Sequence, residues 1–254
     1  MDNLKRKESI VSIFEEIINV NSKIVGTIFK KEVLEEVLFQ TRQYYFTNGM
    51  LIKSEEFLTN TNQKTIKEYS NEKLQTDTTI DRYGCVFHKT IYKYDINGNK
   101  ILHDMDFPGS NRYITEFLNY YDNQSRLIKK ESYANAKFEY TEDICYNSNN
   151  NISLIWRKNS DNNEIYKRNN YYNYFNQLYK AVGLDNEKGN KSFFEYLYEY
   201  NNNGEVSVYT SLKNGKTQIS KYEYKYDYQS NWIEKQQFQD GKLNQILKRR
   251  INYR

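Results

Sequence analysis

The stretch Tyr92-Lys93-Tyr94-Asp95-Ile96-Asn97-Gly98-Asn99-Lys100-Ile101-Leu102 carries two signals side by side. Alternating apolar and polar residues mark a strand, and Asn-Gly between two such runs is the strongest short-range hairpin signal, because a type I′ turn needs positive φ at both central positions. Looser copies recur at Tyr121-Asp122-Asn123-Gln124-Ser125, Tyr146-Asn147-Ser148-Asn149-Asn150, Tyr200-Asn201-Asn202-Asn203-Gly204 and Tyr226-Asp227-Tyr228-Gln229-Ser230-Asn231. Eight opening tyrosines, Tyr45, Tyr69, Tyr94, Tyr121, Tyr146, Tyr172, Tyr200 and Tyr226, stand 24 to 28 residues apart. A period in that range marks a repeat array, whose units are too small to bury an apolar face alone.

Each unit has a fixed internal register. Six residues after the tyrosine stand Leu51, Leu127, Ile152, Leu178, Val206 and Trp232; Lys100 departs in type, and Leu74 falls one residue short. A second turn closes the unit at Pro108-Gly109-Ser110-Asn111, Asn159 to Asn163, Asn186 to Asn190, Lys213-Asn214-Gly215-Lys216 and Gln239-Asp240-Gly241-Lys242. Two turns per unit leave two strands of ordinary length, hence a meander of roughly 16 antiparallel strands.

Strand parity is plainest in Lys221-Tyr222-Glu223-Tyr224-Lys225-Tyr226-Asp227-Tyr228, where tyrosines point to one face and charges to the other. The chain has 26 Tyr, 13 Phe and a single proline, Pro108, which is a folded, β-prone composition. Twist accumulates in a sheet this wide. The expectation is an all-β fold: a long curved or partly rolled sheet with its aromatic side inward, built from about eight hairpin repeats over residues 41–254. Residues 1–40 fall outside the period. Ile10, Ile13, Phe14 and Ile17 recur at helical spacing, with Asn19 and Asn21 as stop signals, which predicts a short helix over residues 8–20. Strands are expected at Ile24 to Phe29 and Val33 to Phe39, the whole segment capping one end of the sheet.

The Tyr-x-Tyr-Asp-x-x-Gly-Asn motif at Tyr92 to Asn99 resembles the YD repeat of Rhs-type proteins, and Thr47-Asn48-Gly49-Met50 and Lys213-Asn214-Gly215-Lys216 are similar to MORN-type turns. The resemblance implies long, spiralling antiparallel sheets. It also implies the role that short bacterial arrays of this kind often have, as intracellular immunity proteins or binding modules.

The composition points away from several other functions. A net charge of +4 from 37 basic and 33 acidic residues is a mixed, solvated surface. Lys5-Arg6-Lys7 and Lys248-Arg249-Arg250 are small basic clusters, and the tyrosines near Tyr224, Trp232 and Phe238 are expected on the buried face with the neighbouring lysines on the solvated one, an expectation that argues against nucleic acid. Cys85 and Cys145 make no disulfide framework and read as free thiols. With no signal-like N-terminus and no long apolar run, a chain starting natively at Met1 is expected in the cytoplasm, with no membrane span.

Only His88 and His103 are available as imidazoles. Hairpin register sets His103 opposite Tyr92 and His88 opposite Phe107, about 13 Å apart at ~3.4 Å per residue, too far to share a metal. Cys85 and His88 face opposite sides of a strand, so no dyad forms. No glycine-rich phosphate loop follows a strand into a helix. The expectation is therefore a protein with no enzyme activity, metal or cofactor, and the resemblance implies a protein-binding module, most concretely a cytoplasmic immunity protein that neutralises a cognate toxin. The alternative is a cell-envelope carbohydrate-binding or structural repeat protein. Tyr174, Tyr179, Tyr228, Trp232 and Phe238 are the candidate aromatic anchors.

Overall fold

The computed structural model describes residues 10–25, 31–48, 50–110, 112–186 and 189–253. Among the described residues every regular element is a strand, eighteen in all, from Ile10–Val25 to Lys242–Tyr253. They form one 18-stranded antiparallel sheet. The first strand, Ile10–Val25, pairs on one side with Lys31–Thr47 and on the other with the last, Lys242–Tyr253. The all-β meander is as the sequence indicates, but the sheet closes on itself as a barrel. That corrects the expectation of a long curved or partly rolled sheet with an N-terminal helix. No helix among the described residues is long and apolar enough to cross a membrane, which leaves open crossing by strands.

The expected helix is replaced by a strand for a reason found at the other end of the chain. Ile13, Glu15 and Ile17 are all buried, at 1%, 3% and 5% exposure, so the burial period is two. A glutamate at a buried position breaks that pattern in sequence. It is tolerated because Arg249, 234 residues away, donates from Nε to Glu15 Oε1 at 2.5 Å, and the Tyr44 hydroxyl donates to Oε2 at 3.1 Å. Asn19 and Asn21, read as stop signals, lie within the strand. Val33 to Phe39 lies in Lys31–Thr47, whereas the expected strand at Ile24 to Phe29 runs past Val25 into residues outside the described ones.

Two turn families recur. In most loops that follow an opening tyrosine, an Asp or Asn accepts from the backbone N–H groups two and four residues on: Asp122 from Gln124 and Arg126, Asn147 from Asn149 and Asn151, Asn173 from Phe175 and Gln177, Asn201 from Asn203 and Glu205, Asp227 from Gln229 and Asn231. The short Asx side chain thus replaces backbone partners that the bend removes. Positive φ falls on the fourth residue, as at Gly98, Ser125, Asn150 and Ser230. The Asp95 loop is of this kind and not a type I′ turn, since Asn97 has no positive φ and the Gly98 N–H donates to the Asp95 carbonyl. True two-residue turns with both φ positive occur at Asn71-Glu72, Asn135-Ala136, Asn214-Gly215 and Asp240-Gly241.

The six-residue offset has a direct structural meaning. Tyr121 pairs with Leu127, Tyr146 with Ile152, Tyr172 with Leu178, Tyr200 with Val206 and Tyr226 with Trp232, each with a register shift just before the tyrosine. The tyrosine hydroxyl then reaches back to the preceding unit. Tyr146, Tyr172 and Tyr200 donate to the carbonyls of Leu127, Ile152 and Leu178, while Tyr121 and Tyr253 donate to the Asp95 and Asp227 carboxylates. Asn99 and Asn231 donate in turn to the Tyr121 and Tyr253 hydroxyls. Tyr253 is thus a ninth member of the series, 27 residues after Tyr226. Burial and the Asp95 carboxylate raise the pKa of Tyr121. Burial acts against ionised Asp95, but hydrogen bonds from Tyr121, Asn119 and the backbone outweigh it and hold the carboxyl below its usual range.

Contacts divide the chain into two units, residues 1–90, 107–109 and 220–254, and residues 91–106 and 110–219. In the first, Ile13 and Phe46 pack with Tyr44, Leu51, Ile251 and Tyr253, and the Arg249 guanidinium lies 3.2 Å from the centroid of the Trp232 ring. In the second, Glu142 sits between Lys130, at 2.8 Å, and Arg157, whose guanidinium is 5.1 Å from both the Tyr140 and Tyr166 rings. Tyr166, Phe194, Tyr196 and Tyr209 continue this row of rings across the same face. These are amphipathic walls in which charges are buried only with partners, in place of a thick aliphatic core.

Candidate functional site

The second unit carries a groove of about 650 Å³ built by four neighbouring strands, Glu164–Tyr172, Leu178–Asp185, Ser192–Tyr200 and Val206–Lys213. Cross-strand pairs Lys167 with Leu184, Leu184 with Phe193, Asn169 with Val182, Val182 with Glu195 and Glu195 with Leu212 place these side chains on one face, opposite the tyrosine row. Leu184 is buried at its floor, and Phe193 stands 60% exposed. The Phe193 backbone is held by the next hairpin: its N–H donates to Asn214 Oδ1 at 3.0 Å, and the Asn214 N–H donates to its carbonyl at 3.1 Å. A fixed backbone presents the ring at low ordering cost, which suits an anchor.

Lys191 Nζ lies 5.2 Å from the Phe193 centroid, and Glu164 and Lys167 add charge to the lining. Glu195 accepts from Lys180 at 2.7 Å, which holds the lysine above its usual pKa. Gly183 lets the sheet close under the groove, because a Cβ there would lie 2.0 Å from the Lys167 carbonyl oxygen. The chemistry on offer is apolar burial framed by ion-pairing groups. No histidine or cysteine lines the groove, and among the described residues no cluster of three His, Cys, Asp or Glu could hold a metal.

None of the five anchors expected from sequence lines this groove. Tyr174 and Tyr228 stand 96% and 83% exposed at the second position of their loops, and Tyr179 is exposed on its strand. Trp232 is a core residue, 2% exposed, and Phe238 is half-buried. The groove residues escaped because they lie on the charged face, where Glu195 and Glu199 dominate. Phe193-Phe194 was the available signal: adjacent aromatics on a strand must point to opposite faces, so one of them has to leave the tyrosine side.

Elsewhere Tyr92 and His103 stack at 5.2 Å, His88 lies 5.7 Å from Phe107, and Cys85 and Cys145 are free and exposed.

No family model matches the chain, and no curated protein matches it. Among solved structures it is similar to the crystal structure of a porin-like protein from Bacteroides uniformis ATCC 8492, with a TM-score of 0.48 and 10% identity over 96% of each chain. It is also similar to a chain in the crystal structure of TcdB2-TccC3-Cdc42, with a TM-score of 0.29 and 9% identity over 80% of this chain and 15% of that one. The fold described above rests on the strand pairing of this chain itself.

Proposed function

We propose that the chain is a non-catalytic protein-binding module of YD-repeat kind, acting in the cytoplasm as an immunity protein, with the Phe193 groove as part of its docking surface. The observation that carries this reading is a partly exposed aromatic ring on a pinned backbone, over an apolar floor of Val182, Leu184 and Leu212, inside a charged surround. Desolvated aromatic anchors ringed by polar groups dominate binding energy at protein interfaces. Ion pairs recur along the chain, with Lys53 and Lys64 on Glu55, Lys129 on Glu131 and Lys225 on Glu234, among exposed apolar side chains such as Leu118, Tyr171 and Leu197. Such ion pairs suit a protein partner steered by charge. The tyrosine and Asx loops repeated along the chain support the YD-repeat reading, and the toxin partner follows from that resemblance.

The test is growth rescue from a toxin encoded beside this gene, by the wild-type protein and by Phe193→Asp. Rescue by the wild type and failure of a variant with an unchanged melting temperature support the reading. Equal rescue by both would remove the groove from it, and a wild-type protein that neither protects nor co-purifies with the toxin would sink it.

A further inference from the structure

A second concavity, of about 660 Å³, lies between the loops Asn173 to Gln177 and Asn201 to Glu205, and its lining includes Phe175, Gln177, Tyr198, Glu199, Asn202 and Asn203. Both loops satisfy their own backbones through Asn173 and Asn201, so their shape does not depend on the side chains between. Those side chains are left for solvent. Phe175 is 77% exposed, and the Tyr174 ring meets it edge-on at 5.7 Å. Among the described residues, the amides of Asn202 and Asn203 and the carboxylate of Glu199 enter no hydrogen bond or ion pair. Gln177 accepts from Asn173 through Oε1 at 3.0 Å. Its Nε2 approaches Gly204, where a Cβ would come within 3.7 Å of it.

We infer that this cleft binds a neutral saccharide. A pyranose ring offers an apolar C–H face and a rim of hydroxyls that each donate and accept. The exposed Phe175 ring matches the face, and planar amides with one carboxylate match the rim, because an amide both donates and accepts and a carboxylate takes two donors. The lining holds no Lys or Arg, so a phosphate or acidic sugar would go unpaired. A single carboxylate is too little for a hard cation. Tyr174, beside Phe175, extends the platform toward a second sugar unit.

The inference uses none of the Phe193 groove and stands or falls apart from the protein-binding reading. It is tested on the full chain by calorimetric titration with neutral glucan, mannan, xylan and chitin hexasaccharides. One of them is expected to bind with a dissociation constant of about 0.1–1 mM. Phe175→Ala and Asn203→Ala should each weaken it about tenfold or more with the melting temperature unchanged, while Phe193→Asp leaves it intact. Absence of binding by every hexasaccharide at about 10 mM, or equal binding by both cleft variants, overturns it.

Discussion

Replacing Gly183 with alanine tests a close backbone approach in the sheet. Gly183 faces Arg168 on one side and Phe194 on the other. The added Cβ would lie 2.0 Å from the Lys167 carbonyl oxygen and 2.5 Å from Phe194 Cζ. The ring can swing, but only by leaving its stacks on Tyr196 at 4.9 Å and Tyr166 at 6.1 Å. The carbonyl can move only if two strands part. Overpacking costs about 1–3 kcal/mol, and each lost aromatic pair about 0.5–1.5 kcal/mol. Against this, alanine in a strand gains about 0.5–1 kcal/mol over glycine. The net expectation for Gly183→Ala is a loss of about 3 kcal/mol, read as a lower urea midpoint at unchanged m-value. Gly183→Ala in a Phe194→Ala background should still destabilise, because the carbonyl remains. A single variant within about 0.5 kcal/mol of wild type, or above it, would refute the close approach.

Three further outcomes are expected. Burial, followed by the Asp227 carboxylate, raises Tyr253 to about 12, so the unfolded chain, with a tyrosine near 10, ionises first. The stabilisation from keeping this hydroxyl protonated is therefore complete below pH 10 and drains away between about pH 10 and 12. Tyr253→Phe should flatten that alkaline limb in urea midpoints taken against pH, and cost about 1 kcal/mol at neutral pH because the hydrogen bond that the fully buried Asn231 donates to this hydroxyl is lost. Ala136→Gly, at φ 63 in a two-residue turn, should stabilise by about 1 kcal/mol, and a lower melting temperature would contradict the left-handed backbone there. Trp232→Ala should cost about 3–5 kcal/mol in urea unfolding while leaving partner affinity unchanged, whereas lost affinity at full stability would restore Trp232 as an anchor.

Several features of this protein are local and were legible in the sequence. The 24 to 28 residue period, the two turns per unit, the six-residue offset and strand parity each depend on residues within one hairpin, where Asx side chains and alternation act at short range. The type of turn was less legible at Asn97-Gly98, because the Asp95 side chain, two residues earlier, captured backbone donors and recast the loop. The exposed tyrosines of the loops were identified; the groove was not, since it exists only when Leu184, Phe193 and Leu212 from three strands meet.

The strand at Ile10–Val25 and the closure of the sheet belong to tertiary structure alone. Ile10, Ile13, Phe14 and Ile17 fit a helical stripe, and Glu15 at a buried position has no local justification. Arg249 supplies that justification from the last strand, since a charge is buried only with its partner. The same pairing brings the chain's two ends into register and leaves the first strand no free edge. Trp232 likewise looked like a surface anchor until Arg249 and Tyr224 covered it. For the first strand the deciding contact joins residues 234 apart in sequence, and no local pattern encodes which distant residue will arrive.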